Sequence, residues 1–131
     1  MKRKYGNKKV SIGGRTFDSK REAERYLVLA DAERRGLISD LQCQPTWELV
    51  PNQYATETVQ LKTKTKEVQR LVERKIEYTA DFRYVKNGVT IVEDVKISKF
   101  ILPKEFVLKR KLMLYFHGIK VREVYKAGEP V

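Results

Sequence analysis

The sequence predicts an α/β protein with a mixed central β-sheet flanked by helices. Three observations predict it. Two segments, 19–35 and 104–116, carry helical spacing with recognisable ends. Short runs rich in β-branched and aromatic residues lie between and after them. Turn signals at Gly13-Gly14, Pro51-Asn52, Asn87-Gly88 and His117-Gly118 separate these segments. The resulting order of helix, three strands, helix, strand buries apolar helix faces against a sheet.

Residues 1–14 read as a basic N-terminal arm, with Lys2, Arg3, Lys4, Lys8 and Lys9, ending at the Gly13-Gly14 turn. Ser19 caps the first helix, and Glu22 three residues later completes a capping-box pattern. Ala23, Tyr26, Leu27 and Ala30 form its apolar stripe, with Glu22 at the margin. Gly36 after Arg34-Arg35 stops it, with positive charge at the negative end of the helix dipole.

A first strand is predicted over Gln44–Leu49, where Pro45 argues for an edge or a strand start. Residues 52–74 are polar and form a loop or hairpin arm. Within them Val59–Lys66 alternates, which as a strand puts Lys62, Lys64 and Lys66 on one face. Such a face is either a comb for phosphates or an edge guarded by lysines. Lys75–Val85 and Val89–Ile97 are the second and third strands, joined at Asn87-Gly88. In the second helix Phe106, Met113 and Phe116 share a face with Lys109 or Arg110, and Ile119–Tyr125 is the last strand. Residues 15–126 are expected to form one domain, with 127–131 a C-terminal tail.

The 131 residues suffice for one buried core, and 41% of them are hydrophobic, which excludes a disordered tail. Twenty-eight Lys+Arg against 17 Asp+Glu leave a formal charge of +11, which favours a polyanionic partner, DNA first. Cys43 is the lone cysteine and His117 the lone histidine, so neither an internal disulfide nor a Cys/His metal cluster is expected. Cys43 reads as a small buried hydrophobe. No apolar run approaches the ~20 residues of a membrane span. The basic start has no apolar stretch behind it, so no secretion signal is expected and the expected location is the cytoplasm.

The chemistry centres on Asp81, Asp94 and Lys96. Residues two apart on a strand point to one face, so Asp94 and Lys96 project together, and the hairpin brings Asp81 beside them. Val92 shares their face while Ile91 and Val95 line the other, the pattern of a strand buried on both sides. Buried acids are costly unless paired or functional. Two carboxylates, with the Val95 carbonyl as a further oxygen, can hold Mg²⁺ or Mn²⁺ against a phosphate, and Lys96 can orient a water or neutralise phosphate charge. Glu22 reaches toward the same place, directly or through a water, or serves only as a cap. Glu93, on the opposite face, reads as a paired surface acid or as a group supporting the site, the former being favoured. From the second helix Lys104, Lys109, Arg110 and Lys111 can meet phosphates, with Lys109 facing the site; Gln44 lies near it or is an ordinary strand residue. Trp47 and the tyrosines read as core. There is no P-loop, GxGxxG or nucleophile elbow.

Taken in order, Phe17-Asp-Ser-Lys-Arg-Glu22-Ala-Glu-Arg-Tyr26, Gln44-Pro45, Tyr78-Thr-Ala-Asp81-Phe82, Glu93-Asp-Val-Lys96 and Leu108-Lys-Arg-Lys-Leu112 resemble a phage and prophage family of small proteins. That family is placed in the PD-(D/E)XK group of nucleases, alongside transposon-end endonucleases and resolvase-like enzymes. The resemblance covers about residues 15–125. It implies a restriction-endonuclease-like core and Mg²⁺-dependent cleavage of DNA phosphodiester bonds. On it Asp81 and Asp94 are metal ligands, Lys96 is catalytic and Glu22 is the helix-borne acid. Ile97 stands where a glycine is common after the lysine, and Ala80 where a proline is expected before Asp81. Resolvase-like members act as dimers on branched DNA, which points to a homodimer and a branched substrate here. The competing expectation is a non-catalytic nucleic-acid-binding protein on the same fold, for which buried acids have no use.

Overall fold

The structure is a computed structural model that describes residues 8–131. Lys2, Arg3 and Lys4 of the expected arm lie outside the described residues. The elements in chain order are β1 (Val10–Ile12), β2 (Arg15–Phe17), α1 (Lys20–Arg34), β3 (Ser39–Cys43), β4 (Thr46–Val50), β5 (Gln53–Gln60), β6 (Thr65–Glu73), β7 (Ile76–Thr79), β8 (Phe82–Lys86), β9 (Val89–Val95), α2 (Lys104–His117) and β10 (Arg122–Val124). The protein is a mixed α/β structure. Among the described residues its contacts divide it into two compact bodies, one of residues 8–45 with 79–131 and one of residues 46–78.

The larger body holds a four-stranded sheet in the order β10-β9-β8-β3. Strands β8 and β9 form an antiparallel hairpin in which Lys86 faces Val89. Asn87 (φ 52°) and Gly88 (φ 77°) make its two-residue turn. Positive φ at both central positions is what a type I′ turn demands, and Asn-Gly meets that demand at least cost. Strand β10 runs parallel to β9 and is reached through α2, the usual way to join parallel neighbours. Gly118 (φ 66°) ends α2 in the left-handed conformation, and its N–H bonds the Leu114 carbonyl.

Helix α1 begins as the spacing predicts. Ser19 is its cap, and the Ser19 Oγ accepts from the Glu22 N–H at 3.1 Å. Its inward face differs from the predicted stripe. Glu22, Ala23, Arg25, Leu29 and Ala32 are buried, while Leu27 is exposed. Arg25 and Glu22 displace apolar residues because each has a polar task inside, described below. Ala23, Leu29 and Ala32 pack with Phe17, Ile38, Phe82 and Tyr84 into the core, and Cys43 lies partly buried against it. Burying each large side chain contributes about 1.5–3 kcal/mol. In α2 Phe106 and Met113 point inward as predicted, but Phe116 is exposed.

Several boundaries differ from the expected ones. Part of the expected arm is a hairpin, β1 against β2, turning at Gly13-Gly14. The strand expected at Gln44–Leu49 is instead β3 followed by β4, because Gln44 sits at φ 53° and Pro45 adds a second break. Gln44 is therefore a turn residue rather than a strand residue. The run Lys75–Val85 is divided into β7 and β8 by Ala80 and Asp81. Strand β9 ends at Val95, before Ile97, and β10 is shorter than Ile119–Tyr125.

The smaller body contains the β4-β7 pair and the antiparallel β5-β6 hairpin. Trp47 and Tyr78 stack with ring centroids 6.4 Å apart, and Leu49 and Tyr78 are buried. The alternation across Val59–Lys66 does not mark one strand. The chain reverses there, with Leu61 N–H on the Lys64 carbonyl at 2.8 Å. Lys62 and Lys64 thus lie in the hairpin tip and Lys66 at the start of β6, so the three do not share one strand face.

Candidate functional site

Strand β9 lies between β8 and β10, the central position its apolar residues predict. Its neighbouring residues Glu93 and Asp94 point to opposite faces. Each is buried, and each has a different set of partners.

Asp94 and Lys96 share one face. The Lys96 Nζ lies 3.6 Å from the Asp94 carboxylate and 3.7 Å from the centroid of the Phe106 ring on α2. The ammonium is thus held between an acid and an aromatic face, an arrangement that fixes its direction. Asp81 precedes β8 and is tied at three points. Its N–H donates to the Glu93 carbonyl at 3.2 Å, its carbonyl accepts from Gln44 N–H at 2.9 Å, and its Oδ2 accepts from Val95 N–H at 2.7 Å. The side chain takes the place of a strand neighbour, which is why the strand breaks here. Burial, then a hydrogen bond and charge repulsion from Asp94, then charge repulsion from Glu22, push the Asp81 carboxyl well above the usual range, against the pull of the Val95 N–H.

Glu22 completes the group from α1. Burial first, then the charge of Asp18, push it to about 7, against a backbone hydrogen bond from Asp18; Asp94 adds to the rise. Its Oε1 is buried with no hydrogen-bond partner among the described residues. A buried carboxylate oxygen left unpaired costs about 1–3 kcal/mol, and such a group calls for a role. Glu22 and Asp81 thus both feel the charge of Asp94, which in turn holds Lys96. No group of three or more acidic, histidine or cysteine side chains among the described residues stands in an arrangement that would itself hold a metal ion.

The expected phosphate contacts are placed less uniformly. Lys109 is bound to Glu105 one turn earlier at 2.9 Å, and Arg110 to Glu123 of β10 at 3.0 Å. Lys111 is exposed. Lys62, Lys64 and Lys66 are exposed in the other body.

Three features escaped the sequence reading. Glu93 is not a surface acid: it is fully buried, and both of its oxygens bind Arg25, at 2.7 Å each. Tyr84 Oη donates to it at 2.5 Å and Arg122 at 3.3 Å. Arg21 ties α1 to the end of β9 through the carbonyls of Lys96 and Ile97, at 3.0 and 3.2 Å. Glu123 stands in register with Asp94 across the parallel pair. The charge match of Arg25 with Glu93 was visible in composition, but only the fold shows which of many charges meet.

Residues 2–128 match the model of the family described as protein of unknown function DUF1064, and the chain belongs to that family. No curated protein and no solved structure matches it. Among the described residues no helix is long and apolar enough to cross a membrane.

Proposed function

We propose that this protein is a divalent-metal-dependent endonuclease that hydrolyses DNA phosphodiester bonds on a restriction-endonuclease-like core. One observation carries the reading: the buried Glu22 and Asp81 carboxyls are both held above their ordinary range, by burial first, and both feel the charge of Asp94, against which Lys96 is held. Buried acids that raise one another's proton affinity are costly to the fold, and a cation is the partner that repays this.

The donor set suits a hard cation, being made of carboxylate oxygens with the Val95 carbonyl nearby. Asp81 and Asp94 would hold Mg²⁺ or Mn²⁺, and Glu22 would reach it through its unpaired Oε1, directly or by way of a water. Once bound, the ion lowers the pKa of a water and clamps the phosphate. The chain's own residues do the rest. Asp81, fixed by the Val95 and Glu93 backbone, positions its carboxylate without reorganisation. Lys96 Nζ, steadied on Phe106, meets a phosphate oxygen or orients the attacking water. The net charge of +11 draws the polyanion in. Lys111 is an exposed cation of the larger body that would meet a phosphate, and Lys62, Lys64 and Lys66 are exposed cations of the smaller body that would do so there.

The setting that fits is DNA replication, recombination or packaging of a phage in the host cytoplasm, with a homodimer acting on branched DNA. A second reading, a non-catalytic nucleic-acid-binding protein, is favoured by the net charge of +11, which draws a polyanion without any chemistry. Cleavage decides between them. Wild type and Asp94→Ala are offered supercoiled plasmid, linear duplex, single strands and a four-way junction with Mg²⁺, Mn²⁺ or EDTA. Cutting by wild type alone, stopped by EDTA, supports the nuclease. Salt-sensitive binding without cutting under any condition supports the second reading.

A further inference from the structure

Immediately after Lys96 the chain leaves the sheet and exposes a run of large apolar side chains. Ile97 is 79% exposed, Phe100 85% and Ile101 80%. This display is held in place rather than loose. Ser98 Oγ accepts from Phe100 N–H at 3.1 Å, the Ser98 carbonyl accepts from Ile101 N–H at 3.4 Å, and Arg21 grips the Lys96 and Ile97 carbonyls. Beside it lies an open groove of about 600 Å³, lined by Val95, Lys96, Ile97, Ile101, Leu102 and Pro103 together with Ser98. That volume falls in the ~300–1,000 Å³ range of small-molecule sites. The walls are apolar, yet Lys96 is one of them.

The segment itself is basic, with Asp94 and Glu105 flanking it at either end. From Val95 to Lys104 the sequence carries Lys96, Lys99 and Lys104 and no acid. The Lys99 Nζ lies 5.3 Å from the Phe100 ring centroid. Lysines next to exposed apolar side chains match a ligand that is anionic along one edge and flat and apolar along another. A paired duplex offers only the first, because its bases are stacked inside. A strand with unpaired bases offers both, and proteins that hold such strands combine a basic track with aromatic platforms.

We infer that the 97–103 segment and its groove bind an unpaired nucleobase of the strand whose phosphate lies at Lys96, so that the substrate is nucleic acid with single-stranded character at the cut. Phe100 stacks on the base at the rim, Ile97, Ile101 and Leu102 wall the groove, and Lys99 and Lys104 hold the flanking phosphates. The inference rests on the nuclease reading only for the position of the cut.

The test reads binding without cleavage. Phe100→Trp in a Trp47→Phe background is titrated in EDTA with a single-stranded oligonucleotide, a forked duplex and a blunt duplex. Quenching of the indole by the first two and not by the third is expected. Phe100→Ala should lose roughly 5- to 150-fold in affinity for the single strand, the range that stacking of one base accounts for. It should keep its affinity for the blunt duplex. Equal quenching by all three DNAs, or unchanged affinity of Phe100→Ala for the single strand, would overturn the inference. So would a wild-type dimer in sedimentation that Phe100→Ser/Ile101→Ser turns into a monomer with single-strand binding intact, since a second copy would then cover this surface. Cleavage of the same DNAs with Mg²⁺ judges the nuclease separately. Stacking without cutting keeps this inference and sinks that reading; cutting without stacking does the reverse.

Discussion

Arg25 and Glu93 meet side by side in the interior, the guanidinium bonding both carboxylate oxygens at 2.7 Å with neither side chain reaching solvent. The Arg25 Nη1 also donates to the carbonyls of Ala127 and Glu129, so the pair joins α1, β9 and the C-terminal residues. A buried pair gives little net stability over apolar residues of the same size, but removing one partner strands the other charge. Arg25→Ala and Glu93→Ala should each cost about 3–5 kcal/mol in denaturant unfolding. The double variant Arg25→Met/Glu93→Leu should cost much less than the sum. Single variants as stable as wild type would mean that the pair is solvated in solution.

The acids predict an unusual dependence on pH. Glu22 binds its proton more tightly in the fold, at about 7 against an ordinary 4.5, and Asp81 is raised as well. The folded state therefore holds more protons than the unfolded one between those values. Stability contributed by these groups is full below the unfolded value and is lost as pH rises through the folded one. In EDTA the melting temperature should fall from about pH 5 to pH 8, with Glu22 alone accounting for up to about 3 kcal/mol. Glu22→Gln should flatten that fall. A melting temperature that rises over the same range would contradict the burial of these carboxyls.

Adding Mg²⁺ or Mn²⁺ should reverse the loss at pH 8, because an ion that binds only the folded state stabilises it. Asp81→Asn and Asp94→Asn should each abolish the rise while keeping the fold. Calorimetric titration with Mn²⁺ checks this directly. Equal thermal stabilisation of wild type and both variants would remove the cation from this site.

Lys96→Ala should retain Mn²⁺ binding yet cut roughly 10²- to 10⁴-fold more slowly, the range for losing a positioned proton-transfer group. Phe106→Leu, which removes the ring beneath the ammonium, should fall between the two. If Lys96→Ala cleaves at the wild-type rate, the lysine is only an ion-pair partner for Asp94.

The cations should not contribute equally to DNA affinity. The triple change Lys62→Ala/Lys64→Ala/Lys66→Ala should flatten the slope of log affinity against log salt by roughly 3, and Lys111→Ala by about 1. Lys109→Ala and Arg110→Ala should change it less, since each cation already answers an acid, Glu105 and Glu123. Equal slopes for all variants would place the phosphate track elsewhere.

Where local chemistry decides, the sequence was a good guide. The Ser19 cap, the Asn87-Gly88 turn and the Gly118 stop each follow from a few neighbouring residues, and each is found. The grouping of Asp81, Asp94 and Lys96 was legible because strand alternation and one tight hairpin fix it. Glu22 was placed at the margin of the α1 stripe and proves to lie well inside, because that face was drawn from apolar residues alone. Arg25 hides in the same way: a charge reads as surface until its partner is known, and Glu93 lies 68 residues away. The break at Asp81 was missed for a related reason. No strand propensity reveals that a side chain will bond the backbone of a strand yet to come.

Glu93 and Asp94 are adjacent in the chain and opposite in direction. One peptide bond separates the acid that locks the interior from the acid on which the proposed chemistry depends. A single-residue insertion or deletion between Ile91 and Glu93 would exchange their faces, taking Glu93 away from Arg25, and Asp94 with Lys96 off the face they share. The register of this one strand thus ties the proposed chemistry to the interior ion pair, so that a change in its length would disturb both at once.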